Sequence, residues 1–156
     1  MNTNTYQYRV RSVDAAGNLG AWMNGPTFAA RAVQETVGSV VYVGAWTTST
    51  HAVFYGSTVK YASAAGRTAT YTFSGTDVAW LSTVGPNRGK AEVWVDGVKQ
   101  ADVDMYAPAI GARHVVYSAT GLSPTSTHTI EVRVLGTRNA SATNSIVDVD
   151  GFLTMP

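Results

Sequence analysis

The sequence contains no cysteine, so neither a disulfide framework nor a thiolate metal site is open to it. Charge is also scarce: Asp, Glu, Lys and Arg make up 13% of the 156 residues, about half the share of an ordinary soluble domain. The net charge is +1 with no block of Lys or Arg, which excludes the electrostatic footprint of nucleic-acid or anionic-membrane binding. No stretch approaches the roughly 18 apolar residues of a membrane span, and MNTNTYQYRV lacks the charged and apolar regions of a secretory signal. Any export signal is expected outside this chain, and Met1 running straight into strand-like residues suits a piece of a longer polypeptide. Catalytic signatures are missing too: there is no Gly-x-Ser-x-Gly elbow, HExxH pair or Gly-rich phosphate loop, and His51, His114 and His128 are scattered.

What is present is period two. Short runs rich in Val, Thr and Tyr are separated by Gly, Asn, Asp and Pro, and no long amphipathic helix is visible. In RTATYTF, Ala69, Tyr71 and Phe73 alternate with Thr68, Thr70 and Thr72. In THTIEVRVL, His128, Ile130, Val132 and Val134 oppose Thr129, Glu131, Arg133 and Leu135, so each run has one face for a core and one for water. Val95, Asp96 and Gly97 form a hairpin signal before VKQADVDMY. Many short antiparallel strands joined by turns predict an all-β fold, a sandwich, barrel or jelly roll, with one core in a chain of this length.

The pattern breaks at Asn24, Gly25 and Pro26, and a new series starts around Gln34. We therefore expect a first segment over 1–25, a linker over 26–33 and a main domain over 34–156. The first segment, TYQYRVRSVDAAGNLGAW, resembles the last two strands of a fibronectin type III domain, with its Tyr-x-Tyr-x-Val strand and Asp-x-x-Gly-Asn turn. A two-stranded hairpin alone is marginal in water, so Tyr6, Tyr8, Val10 and Trp22 are expected to pack on the main domain or on a second copy. The resemblance implies a spacer beside a catalytic or binding domain of a secreted bacterial protein.

The main domain resembles the β-jelly-roll modules of secreted bacterial enzymes and surface proteins, similar to carbohydrate-binding modules of the galactose-binding-like type. The resemblance rests on the order of ETVGSVVYVGAWTTST, YASAAGRTATYTFSGTDVAWLSTVGPNRGKAEVWVDG, DVDMY, GLSPTSTHTIEVRVLGT and IVDVDGF. Where the family commonly has a short Gly-His-Thr turn, this chain reads SPTSTHT, a change expected to fall in a loop. The resemblance implies a non-catalytic, extracellular or cell-surface module attached to a larger protein and binding a polysaccharide or glycan. The alternative is a structural or adhesive module, for example of a surface or virus fibre, that self-associates through its N-terminal hairpin. A small hydrolase with an unusual site ranks below both.

Sugars stack their C–H faces on aromatic rings while side chains bond their hydroxyls, so the search is for aromatics on polar faces. In KAEVWVDG the core face is Ala91, Val93 and Val95, which sends Trp94 outward between Glu92 and Asp96; a sugar platform and a cross-sheet packing role both fit it. Trp80 is expected to end the strand DVAWL and lead into STVGPNRGK, whose Asn87 and Arg88 would be binding donors or solvated turn residues. The resemblance implies Asp104 and Tyr106, at the end of DVDMY, as site members, with a core-capping role equally open to Tyr106, while Trp46 reads as core and Tyr55 and Tyr61 fit either role.

Related jelly rolls often hold a structural calcium, and Glu35, Asp148 and Asp150 stand in comparable places on the first and last strands. A hard cation wants six to eight oxygens; solvated carboxylates, or pairing with Arg31 or Arg67, are the competing reading. Asp102 with Asp104 and Asp148 with Asp150 share strand faces at a separation that suits an inverting hydrolase pair. Nothing in the pattern promises the one-buried, one-solvated contrast that acid and base roles need.

Overall fold

The computed structural model describes residues 5–156; the first four residues of the expected N-terminal segment lie outside the described residues. An N-terminal hairpin pairs β1 (Tyr6–Val10) with β2 (Met23–Phe28). The strands that follow are β3 (Arg31–Gln34), β4 (Val40–Val43), β5 (Thr47–Thr50), β6 (Thr58–Ala62), β7 (Thr68–Ser74), β8 (Asp77–Val84) and β9 (Gly89–Val95). Then come β10 (Val98–Asp104), β11 (Gly111–Ala119), β12 (Thr127–Arg138), β13 (Val147–Val149) and β14 (Gly151–Met155), and a 3-10 turn at Tyr55–Ser57 precedes β6.

A five-stranded sheet in the order β10-β9-β12-β7-β4 faces a four-stranded sheet in the order β11-β8-β14-β3. The all-β sandwich expected from the alternation is the observed architecture. Ala69, Tyr71 and Phe73 of β7, Val93 of β9 and Ile130, Val132 and Val134 of β12 meet Val33, Val78, Trp80 and Phe152 from the other sheet in one core. Tyr71 is central, with ring stacks on Phe73 at 5.7 Å and on Phe152 at 4.9 Å. A smaller sheet, β13-β6-β5, sits beside the sandwich and covers the end of β8, where Leu81, Ser82 and Thr83 are all buried. The turn between β9 and β10 places Asp96 at φ 51° and Gly97 at φ 76°, the left-handed pair that a two-residue hairpin turn requires.

The N-terminal segment departs from expectation in two ways. The stretch expected as a linker is mostly strand: β2 continues to Phe28 and β3 begins at Arg31. Pro26 is tolerated because β2 pairs on one side only, and the register shifts where it sits. The hairpin also does not bury its aromatics on the main domain, since Tyr8 and Trp22 remain 56% and 47% exposed. Trp22 finds local contacts: the Arg9 and Arg11 guanidinium groups stand 4.4 and 4.6 Å from its ring.

Candidate functional site

Three chain segments meet at one end of the sandwich: residues 85–89, 105–110 and 139–146. Bridges join Gly85 to Tyr106 and Arg88 to Ile146, and the Thr143 amide donates to the Pro86 carbonyl. Gly89 makes the close approach possible, because a Cβ there would be driven into the backbone of Ser145. The sequence candidates Asn87, Arg88, Asp104 and Tyr106 are thus brought to one loop cluster. Asp104 is tied down within it by the Asn139 amide at 2.9 Å, the Tyr106 backbone N–H at 3.0 Å and Lys90 at 3.6 Å. Partial burial pushes its carboxyl upward, but those three partners more than offset this and leave it below the ordinary carboxylate range.

Arg88 is not the exposed donor that a turn position suggested. It is 8% exposed, donates to Asn87 Oδ1 and places Nε 2.9 Å from Asp148 Oδ2. That contact is an electrostatic pairing without good hydrogen-bond alignment. The carboxylate is held from the other side by the Ser82 hydroxyl at 2.6 Å and the Thr83 amide at 2.8 Å. Burial pushes the Asp148 carboxyl up while Arg88, Ser82 and Thr83 pull it back.

Above this pair lies a hollow of about 200 Å³ whose walls are Phe54, Val59, Tyr61 and Ile146, with Ser49, Arg88 and Asp148 completing it. Phe54 is carried there by the loop that precedes the 3-10 turn, and Arg113 fastens that loop by donating to the Ala52 and Phe54 carbonyls. Arg113 itself sits at φ 58°, an unusual conformation for a residue with a Cβ. Aromatic walls beside hydrogen-bonding groups suit a small polar ligand with an apolar face. Phe54 and Ile146 were not singled out from the sequence, and no local signal marks them, because their roles arise from segments more than 90 residues apart.

The two tryptophan candidates separate. Trp80 is wholly buried and donates its indole N–H to the Asp148 carbonyl at 3.2 Å. The strand expected to end there runs on to Val84, so Trp80 is a core residue that no ligand reaches. Trp94 faces outward as expected, half-buried on the five-stranded sheet, with its N–H 3.0 Å from Glu92. The Arg133 guanidinium lies over one ring face at 3.9 Å and is itself paired with Glu131. A sugar can stack on Trp94 only over the opposite face.

The expected cation ligands also divide. Asp148 is committed to Arg88, whereas Glu35 and Asp150 are both fully buried, and Glu35 Oε2 and Asp150 Oδ2 have no hydrogen-bond partner. Their other oxygens accept from Thr58 and from the Tyr55 amide at 2.6 and 2.8 Å. Neither Arg31 nor Arg67 forms an ion pair with them among the described residues. Burial raises the Glu35 carboxyl. Burial, reinforced by the neighbouring Asp148 and Glu35, pushes Asp150 up to about 6. Two orphaned buried oxygens fit a hard cation, but no cluster of three or more His, Cys, Asp or Glu side chains completes a shell among the described residues, so backbone carbonyls would have to supply the rest.

No family model matches the chain. It is 36% identical over 100 residues to the A type blood N-acetyl-α-D-galactosamine deacetylase of Flavonifractor plautii, a match covering 64% of this chain and 13% of that enzyme. It is 34% identical over 95 residues to the A type blood α-D-galactosamine galactosaminidase of the same organism, covering 60% of this chain and 8% of that enzyme. Among solved structures, a two-domain esterase active on acetylated mannans, co-crystallised with mannopentaose, superposes with a TM-score of 0.59 at 17% identity, over 81% of this chain and 37% of the esterase. That likeness is one of fold. The chain is similar to a minor segment of carbohydrate-active enzymes many times its length.

Proposed function

We propose that this chain is a non-catalytic carbohydrate-binding module of a larger secreted protein, and that a sugar ring sits in the loop-end hollow between Phe54 and Tyr61. The observation that carries the reading is the meeting there of two aromatic walls with the buried Arg88–Asp148 pair. The short match to two carbohydrate-active enzymes supports the same chemistry. A non-catalytic role is supported by the carboxylates: Asp148 and Asp150 are both buried, without the one-buried, one-solvated contrast that acid and base roles need. The outward Trp94 is a second surface for the same polymer. Glu35 and Asp150 would hold a structural calcium, whose charge would offset the two buried carboxylates.

A glycan and insoluble-polysaccharide panel with Tyr61→Ala and Trp94→Ala variants tests the reading. We expect weak, reversible binding without turnover, weakened about tenfold or more by Tyr61→Ala with thermal stability retained. A folded protein that binds no glycan overturns it. In that case the self-associating module becomes the better reading, because Tyr8, Val10, Leu19, Trp22 and Met23 leave the hairpin with an exposed apolar surface of the kind that marks an interaction site.

A further inference from the structure

A second hollow lies away from the loop end. A groove of about 700 Å³ runs along the open side of the sandwich between β3 and β7, within the roughly 300–1,000 Å³ range of ligand clefts. Topology keeps it open. β3 is the last strand of its sheet, and β4 pairs with β7 only from Thr68 to Tyr71, so the backbone beyond Tyr71 borders the groove beside the edge of β3. Tyr71 and Phe73 line it as stacked rings. Ser39, Thr72, Ser74, Thr127, Thr154 and Gln34 add polar groups to a lining that is otherwise mostly apolar, with Ala32, Val33 and Val37 among its walls.

This lining contains one formally charged side chain, Arg31, and no Asp or Glu. Arg31 is exposed on β3 opposite Thr154, and among the described residues no carboxylate stands within ion-pair distance of it. It is close enough to Tyr71 to matter electrostatically: burial raises the Tyr71 hydroxyl, and the Arg31 charge and the Thr154 hydroxyl hold it down. A guanidinium, a phenol and a threonine hydroxyl therefore lie together in a groove whose remaining walls are uncharged, part polar and part apolar. An unpaired arginine beside such donors matches a carboxylate in both charge and fork geometry.

We infer that the groove between β3 and β7 binds an acidic oligosaccharide, with a uronate carboxylate on Arg31 and adjoining rings along the hydroxyl-lined wall. The inference rests on the carbohydrate-binding reading but places a different site under it, with a different ligand class. The single positive charge of the lining, with no carboxylate beside it, disfavours polycations.

Titration calorimetry of the full chain with tetragalacturonic acid and its methyl ester tests this. The acid is expected to bind about tenfold more tightly than the ester, since a hydrogen-bonded charge carries that much preference. Arg31→Gln should abolish the difference, Arg31→Lys should keep part of it, and Ser74→Trp, which fills the groove, should weaken both ligands without lowering thermal stability. Acid binding unchanged by Arg31→Gln and Ser74→Trp but lost in Tyr61→Ala would overturn the groove and leave the loop-end reading standing. Failure of both probes while a neutral glycan binds at the loop end would do the same. Failure of every glycan would remove both.

Discussion

Arg88 Nε lies 2.9 Å from Asp148 Oδ2 beneath the loop end, with both side chains almost entirely out of water. Arg88 comes from the loop before β9 and Asp148 from β13, so the pair joins segments 60 residues apart. Removing one partner leaves a buried charge without compensation. Arg88→Ala is expected to cost about 3–5 kcal/mol, and the double variant Arg88→Met, Asp148→Leu should recover much of that loss. Urea denaturation of the three proteins measures it, and an Arg88→Ala protein as stable as the parent would contradict the pairing.

The loops of the site depend on Gly89. An alanine there forces the Ser145 backbone away, and residues 139–146 cannot then close on Arg88. Gly89→Ala should lower the melting temperature by several degrees, as a destabilisation of about 1–3 kcal/mol would in a domain of this size. Exchange protection should fall at Gly89 and Ile146 before it falls in the core strands.

His128 supplies a pH dependence. Its Nε2 lies 2.9 Å from the Ser123 carbonyl and its Nδ1 2.7 Å from Asp96. Both partners accept, so the ring donates from both nitrogens and carries the charge. The Ser123 carbonyl and Asp96 accordingly raise His128 above its ordinary 6.5. Burial pushes Asp96 up, but the Thr129 amide and His128 outweigh it and hold Asp96 below 3.8. A raised histidine stabilises fully below its unfolded value and loses that contribution as pH rises through its folded value. A depressed carboxylate loses its contribution as pH falls through its own. The pair therefore stabilises most between about pH 4 and 6.5. The difference in melting temperature between the parent and His128→Gln should be largest in that window and shrink on both sides; a difference independent of pH would refute the charged ring.

Calcium should raise the melting temperature by mass action, with each further factor of ten above the dissociation constant adding about 1.4 kcal/mol. Glu35→Gln should remove the response without lowering the stability of the metal-free protein, because burial already disfavours the charged carboxyl. A calcium response that survives in Glu35→Gln places the ion elsewhere.

The strand architecture was legible because alternation is a local property. The runs around Tyr71 and Ile130 each declared their buried face, and Trp94 was correctly turned outward by the same rule. The site was less legible because its parts are set by tertiary pairing. Trp80 read as a loop-edge aromatic since the polar Ser82 and Thr83 that follow it suggest a turn, yet both continue β8, where the Ser82 hydroxyl and the Thr83 backbone amide donate to Asp148. Arg88 sits in a Gly-Pro-Asn sequence that signals exposure, and only the charge in the otherwise apolar β13 hints that a buried partner must exist. The hairpin's aromatic alternation called for a cover from the main domain or a second copy, and the main domain leaves Tyr8 and Trp22 exposed.

The complete burial of Trp80 also decides what light the protein emits and what that light can report. The four tryptophans occupy four different settings: Trp80 sealed in the core, Trp46 partly buried against it, Trp94 under Arg133 on the sheet surface and Trp22 beside two arginines on the hairpin. The emission of Trp80 should be blue-shifted and deaf to ligand, changing only when the sandwich opens. Iodide reaches Trp22 and Trp94 first, so a single quenching series separates an event at the hairpin or the sheet surface from loss of the fold itself.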